Sequence, residues 1–185
     1  MSDKKNPRIG YVVSLCGVMC GLALALMFVL GFVPSFEYIT PAAAGILIWV
    51  IRERLGIKYG LVSYVAVGIL CLIITTNYEA AMMFLFLLGY YPILREFLQK
   101  IKIAPLRWLV KLAIYAAASI ASYLLLIYIF GLTYLLDEME VFGRYASLVI
   151  LGIGAAAFVI YDVFLDLFKP FYTKVILPKL QKRMK

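Results

Sequence analysis

The chain has no histidine and only ten acidic residues among its 185. The first absence removes Ser-His and Cys-His nucleophile pairs, most zinc and haem sites, and histidine-based proton chemistry. Charge of both signs is scarce, at 15% of residues, while 65% are hydrophobic and the mean hydropathy is +1.00. Soluble domains are roughly 45–50% apolar. Cysteine is sparse as well: Cys16, Cys20 and Cys71 all lie inside apolar runs. There they read as small packing residues, not as a disulfide framework or a metal site. Walker-type Gly-x4-Gly-Lys, Gly-x-Ser-x-Gly and His-Glu-x2-His patterns are missing too. Neither a metal nor a cofactor is expected.

What remains is apolar sequence punctuated by short charged clusters. In lipid every backbone polar group must be satisfied within the segment, and the alternating pattern of a barrel is absent. The expected fold is an all-α integral membrane protein, a single polytopic domain over residues 1–185 with six transmembrane helices. The spans read as residues 9–33, 39–51, 56–74, 80–94, 108–130 and 145–168, with a basic tail over 169–185. The leader MSDKKNPR has the charge order of a signal peptide. The run behind it is about twice the usual length of a signal peptide's apolar region and ends in Gly-Phe-Val-Pro without a cleavage site. It is therefore kept as the first span.

Two runs are short. At 1.5 Å per residue, PAAAGILIWVI from Pro41 reaches about 17 Å and the run from Ala80 to Leu94 about 22 Å, against a hydrocarbon core of roughly 30 Å. Parity of charge decides that the second run crosses. If it did not, the basic N-terminus and the cluster Arg52, Arg54 and Lys58 would face opposite sides, against the positive-inside rule. With six spans, every Lys and Arg except Arg144 falls on one side. Both termini are thus expected in the cytoplasm, with the protein in the cell membrane. The net charge of +8 is absorbed by this orientation, and nucleic acid is not an expected partner. Each basic residue of the tail adds about 1 kcal/mol of attraction to anionic headgroups. Trp108 suits the inner interface, Lys111 is close enough to the inner end of the fifth span to snorkel, and Pro92 eases the exit from the fourth.

The outer turns collect the polar candidates. Glu37 and Tyr38 precede the short second run, and Asn77, Tyr78 and Glu79 precede the short fourth. Short or interrupted helices mark cavities, because irregular backbone at membrane depth must be buried in protein or line water. An outward-facing pocket follows, with Asn77 and Glu79 as its preferred contacts; the competing reading is an interfacial aromatic belt with solvated acids. Gly17, Gly21 and Ala25 recur every fourth residue and line one helical face, open to tight packing inside the bundle or to docking of a partner helix. Asp162 and Asp166 share a face of the sixth span and read first as ion-pair partners of nearby basic residues, second as a proton relay or metal site. Their spacing matches the tail of the motif of CDP-alcohol phosphotransferases, but the Asp-x2-Asp-Gly element is missing and Phe158 stands where its glycine belongs. No catalytic set remains.

Six spans in under 200 residues, both termini inside, small residues at Gly17, Gly21 and Ala25, and acidic-aromatic outer turns together resemble the substrate-binding S components of energy-coupling-factor transporters. The resemblance covers the whole chain through architecture. It implies a vitamin or related micronutrient bound at the outer side, and a transmembrane coupling subunit on the face of Gly17, Gly21 and Ala25, which stands in place of the family's alanine-x3-alanine. It also implies energy from two cytoplasmic ATPases, so that this chain binds and does not hydrolyse. The alternatives are a structural or scaffolding multi-pass protein without a transported ligand, and a transporter complete in itself.

Overall fold

The computed structural model describes residues 9–33, 36, 38–75, 77–128, 131 and 146–176. All regular structure among them is helical. The chain divides into two compact units, Met1–Thr133 and Tyr134–Lys185. Glu37, expected at the pocket, Arg144, expected on the side opposite the other basic residues, and the basic residues of the tail beyond Ile176 lie outside the described residues.

The first unit opens with α1 (Ile9–Leu30), α2 (Ile39–Leu55) and α3 (Ile57–Ile74). α1 and α3 carry apolar residues all round, and Val13, Val18, Leu22, Val29, Val62, Ile69 and Ile73 stand exposed. Apolar surface on this scale is stable only in an apolar surrounding. α2 is different. Thr40, Pro41, Ala44, Gly45, Ile48, Trp49, Val50 and Ile51 are all buried, and α2 packs on α1, α3 and the segment that follows. The helix extends four residues past the expected end at residue 51, carrying Arg52, Glu53 and Arg54 into its last turn. Its 17 residues span about 25 Å. The charges are tolerated there because an interior helix end can pair them with neighbouring protein.

One residue, Gly56, joins α2 to α3, with φ 102°. A side chain disfavours that region of backbone space, so glycine sets the joint. Four residues on, an added Cβ at Gly60 would sit 2.6 Å from Arg52 Cβ and 3.2 Å from Arg52 Cα, so α2 and α3 touch almost backbone to backbone. At the other end of α3, Thr75 Oγ1 donates to the carbonyl of Met27 at 3.3 Å, which brings the C-terminal ends of α1 and α3 together.

The fourth segment is expected to be a single run over residues 80–94, and the structure corrects this. Helical structure begins at Tyr78 with α4 (Tyr78–Met83), widens into a π-helical turn (Phe84–Leu88) and resumes as α5 (Tyr91–Leu98). Pro92 does not end the span. It occupies the first turn of α5, where its missing N–H costs nothing, and the helix continues six residues beyond it. The segment Tyr78–Leu98 is the most interior of the long helices: 61% of an eighteen-residue window is buried, against 17% for α1 and 28% for α3. α6 (Ala104–Tyr128) follows and buries Lys111, Tyr115, Ala118, Ser122 and Leu126 along one face. Lys111 is 2% exposed, with Nζ 4.8 Å from the centre of the Trp108 ring, so it turns inward to a cation–π contact in place of the expected snorkel.

The second unit holds α7 (Ala146–Phe171), which passes directly into a π-helical turn (Tyr172–Ile176). Lys169 and Lys174, expected in a tail, are therefore helical. Pro170 lies within α7, and Thr173 Oγ1 donates to the carbonyls of Lys169 and Pro170 at 3.0 and 3.2 Å. Asp162 is buried and Asp166 is exposed, so the two acids sit in different surroundings despite their helical spacing.

Five helical segments, Ile9–Leu30, Ile57–Ile74, Tyr78–Leu98, Ala104–Tyr128 and Val149–Lys174, are long and apolar enough to cross a membrane. Among the described residues the protein is all-helical, with the length and composition of a multi-span membrane protein.

Candidate functional site

The described residues of the turns before α2 and α4 are placed as follows. Asn77 is the N-cap of α4: its Oδ1 accepts from the Ala80 N–H at 2.9 Å, and its own N–H donates to Thr75 Oγ1 at 3.4 Å. Because Thr75 also reaches Met27, this cap ties the start of the fourth segment to the ends of α1 and α3. Glu79 lies in the first turn of α4, where a carboxylate is favoured by the helix dipole, and is half-buried. Tyr38 precedes α2 and Tyr78 opens α4, both exposed. Gly17, Gly21 and Ala25 are exposed on α1, and a Cβ added at either glycine would meet nothing within 4 Å. α1 packs its other side, through Ala23 and Met27, into the core.

A cavity lies deeper, beside the π-helical turn. The turn arises where Gly89 N–H bonds to the carbonyl of Phe84, five residues back, at 2.8 Å. The carbonyl of Leu85 thereby loses the N–H that a regular α-helix would give it, and the Tyr64 hydroxyl of α3 donates to it instead. Gly89 is needed here: a Cβ would approach the Phe84 carbonyl oxygen to 2.6 Å and the Phe84 ring to 3.0 Å. Tyr64 also packs on the rings of Phe84 and Tyr90, with centroids 5.9 and 6.0 Å away.

Beside the widened turn lies an apolar groove of about 710 Å³ between α3, the fourth segment and α6. α3 contributes Tyr64 and Leu72, and the fourth segment contributes Met82, Leu85, Phe86 and Tyr90. Ile114, Ala117, Ala118 and Leu125 of α6 complete the wall. None of these residues is charged. Ligand sites are typically about 300–1,000 Å³ and mainly apolar with few polar groups. The site expected from sequence is the polar turn of Asn77 and Glu79; Tyr64 and the α6 wall lie outside that expectation. The available signal was the Gly89-Tyr90-Tyr91-Pro92 interruption.

A second polar cluster occupies the opposite ends of α2 and α5. Glu96 accepts from Trp49 Nε1 at 3.3 Å and is ion-paired with Arg52, which also reaches Glu53 at 3.5 Å. Arg95, next to Glu96, is 3% exposed. This cluster ties the basic ends of α2 and α5 together.

Fold and groove thus define a multi-helix membrane protein whose most interior segment is irregular and cavity-lining. Compared with family models, curated proteins and solved structures, the chain matches none.

Proposed function

We propose that this chain is the small-molecule-binding membrane subunit of an uptake transporter. The observation that carries the reading is the groove beside the π-helical turn, of ligand size and built on the most interior of the described segments long and apolar enough to cross a membrane. Irregular backbone at membrane depth belongs where it lines a cavity, and transporters place their substrates at such breaks. The ligand enters past the outer turn of Glu37, Tyr38, Asn77, Tyr78 and Glu79 and comes to rest against the broken segment.

The reading includes six spans in the cell membrane with both termini in the cytoplasm. Its support is geometric as well as electrostatic. The Thr75–Met27 hydrogen bond joins the C-terminal ends of α1 and α3, which supports an α2 that returns the chain across the layer. The Arg52–Glu96 pair joins the C-terminal ends of α2 and α5, and so gathers the two basic loops on one side. The exposed face of Gly17, Gly21 and Ala25 is then available to a transmembrane coupling subunit driven by ATPases, and the basic tail to anionic headgroups. That same exposed face favours a second reading, a scaffolding membrane protein that packs on partner helices without a ligand.

Native mass spectrometry after gentle purification separates the two. A retained small molecule that is lost on Ala117→Phe, which fills the groove, is expected for the binding subunit. An empty protein whose spectrum is the same with and without that substitution overturns it.

A further inference from the structure

The walls of the groove specify the class of its ligand. From Tyr64 to Leu72 on α3, and from Met82 to Tyr90 on the fourth segment, the lining runs over eight residue steps, or about 12 Å at the rise of an α-helix; from Ile114 to Leu125 on α6 it covers about 16 Å. The space is therefore elongated along the helices. No lining side chain carries charge. An ionised carboxylate, phosphate or ammonium group placed there would lose its hydration with nothing to pair it.

The polar groups are confined to one end. The Tyr64 hydroxyl is already donated to the Leu85 carbonyl. Tyr90, against it, makes no hydrogen bond through its hydroxyl with any described residue. It is half-buried, at the same end of the groove. Ala117, by contrast, is exposed, so the groove is open on the α6 side.

We infer that the groove takes an elongated, uncharged, largely apolar molecule whose single hydroxyl or carbonyl oxygen bonds to the Tyr90 hydroxyl. This rests on the small-molecule-binding reading and narrows it to neutral compounds. The same apolar chemistry is offered by an acyl chain of the surrounding lipid and by a free ligand, and the test distinguishes the two.

The probes are a matched photoreactive pair, 4-[3-(trifluoromethyl)diazirin-3-yl]benzyl alcohol and the corresponding benzoate, applied to the full chain in phosphatidylcholine nanodiscs. Crosslinked residues are located by mass spectrometry, with unlabelled benzyl alcohol analogue as competitor. The neutral probe is expected to label Leu72, Met82, Phe86 or Ile114 saturably, and the benzoate to fail. Tyr90→Phe should weaken labelling several-fold, of the order of one lost hydrogen bond. Ala117→Phe should abolish it with an unchanged unfolding midpoint.

Equal labelling of the groove by the benzoate overturns the neutral class and leaves the binding subunit standing. Saturable labelling confined to Tyr38, Tyr78 and Glu79 does the same, moving the site to the outer turn. Labelling by the neutral probe that never saturates and ignores Ala117→Phe identifies a lipid-filled groove and overturns the inference. Absence of saturable labelling by either probe, joined to an empty native mass spectrum, overturns the inference and the binding subunit together.

Discussion

α2 and the fourth segment are the two apolar runs that are too short by sequence, and the protein solves the shortage in opposite ways. α2 stays a regular helix, gains length by taking Arg52, Glu53 and Arg54 into its last turn, and is pressed against α3 so closely that Gly60 has no room for a Cβ. The fourth segment gains length by starting at Tyr78 and running through Pro92, with a π-helical turn between. It meets α3 through a flexible side chain: at Gly68 an added Cβ would meet Leu85 Cδ2 at 2.6 Å and no backbone atom. Both segments are interior, so both can carry polar residues that a lipid-facing helix could not. One contact is rigid and the other adjustable, and the groove lies at the adjustable one.

The sharpest break of this comparison uses the two glycines of α3. Gly60→Ala sets a methyl group against the Cα and Cβ of Arg52; the overpacking costs up to about 3 kcal/mol, offset by the roughly 1 kcal/mol that alanine gains over glycine in a helix. A net loss of about 2 kcal/mol is expected in denaturant unfolding of the detergent-solubilised protein. Gly68→Ala, where only the end of Leu85 must turn aside, should lie within about 0.5 kcal/mol of the parent. Equal losses at the two positions would remove the distinction between the contacts.

The next effect concerns the joint between the two segments. Glu96→Ala removes the carboxylate shared by Arg52 and Trp49. The side chains of Arg52 and Glu96 are 16% and 20% exposed, so the loss is discounted from that of a fully buried pair to about 1.5 kcal/mol. Glu96→Gln, which keeps an acceptor for Trp49, should recover part of it. A double-mutant cycle with Arg52→Ala reads the coupling, and a coupling of zero would mean that the basic ends of α2 and α5 are held together by packing alone.

Tyr64→Phe acts on the fourth segment by itself. It takes away the hydroxyl that satisfies the Leu85 carbonyl, at a cost of about 1 kcal/mol. Hydrogen exchange should accelerate in residues 84–90 and stay unchanged in α2. Acceleration spread evenly over both segments would show that the π-helical turn is not a separate, softer element.

Much of the helical fold was legible because the apolar runs are long and their breaks carry charge or proline. Ile57–Ile74 falls within one residue of the expected third span, since Gly56 and Thr75 bound it cleanly. The short runs were harder to read. Hydropathy measures contact with lipid, whereas α2 and the fourth segment mostly contact protein; Arg52 and Glu96 look like loop residues until their pairing is seen. Asn77 and Glu79 were legible as polar residues at a break; Asn77 is the N-cap of α4 and Glu79 lies in its first turn, but a helix start and a ligand contact have the same sequence signature. The groove was harder to read: the Gly89-Tyr90-Tyr91-Pro92 interruption marks a break in the segment, but nothing in FLFLLG says that the break is a five-residue hydrogen-bond step at Gly89.

The smallest effect on stability carries the most about assembly. α1 turns Ala23 and Met27 inward and leaves Gly17, Gly21 and Ala25 outward, so its small residues are not what holds it to α2 and α3. Gly21→Leu should therefore change the unfolding midpoint of the purified chain by no more than the equivalent of about 0.5 kcal/mol, since the position is exposed and a Cβ there meets nothing within 4 Å. In a complex extracted from its own membrane the expectation reverses. Leucine would hold a partner helix away from the close approach that glycine permits, and native electrophoresis should shift from the mass of an assembly to that of the lone chain. A destabilised lone chain would instead mean that the face is packed inside the protein. An unchanged assembly would mean that the partner, coupling subunit or scaffolded neighbour, docks elsewhere.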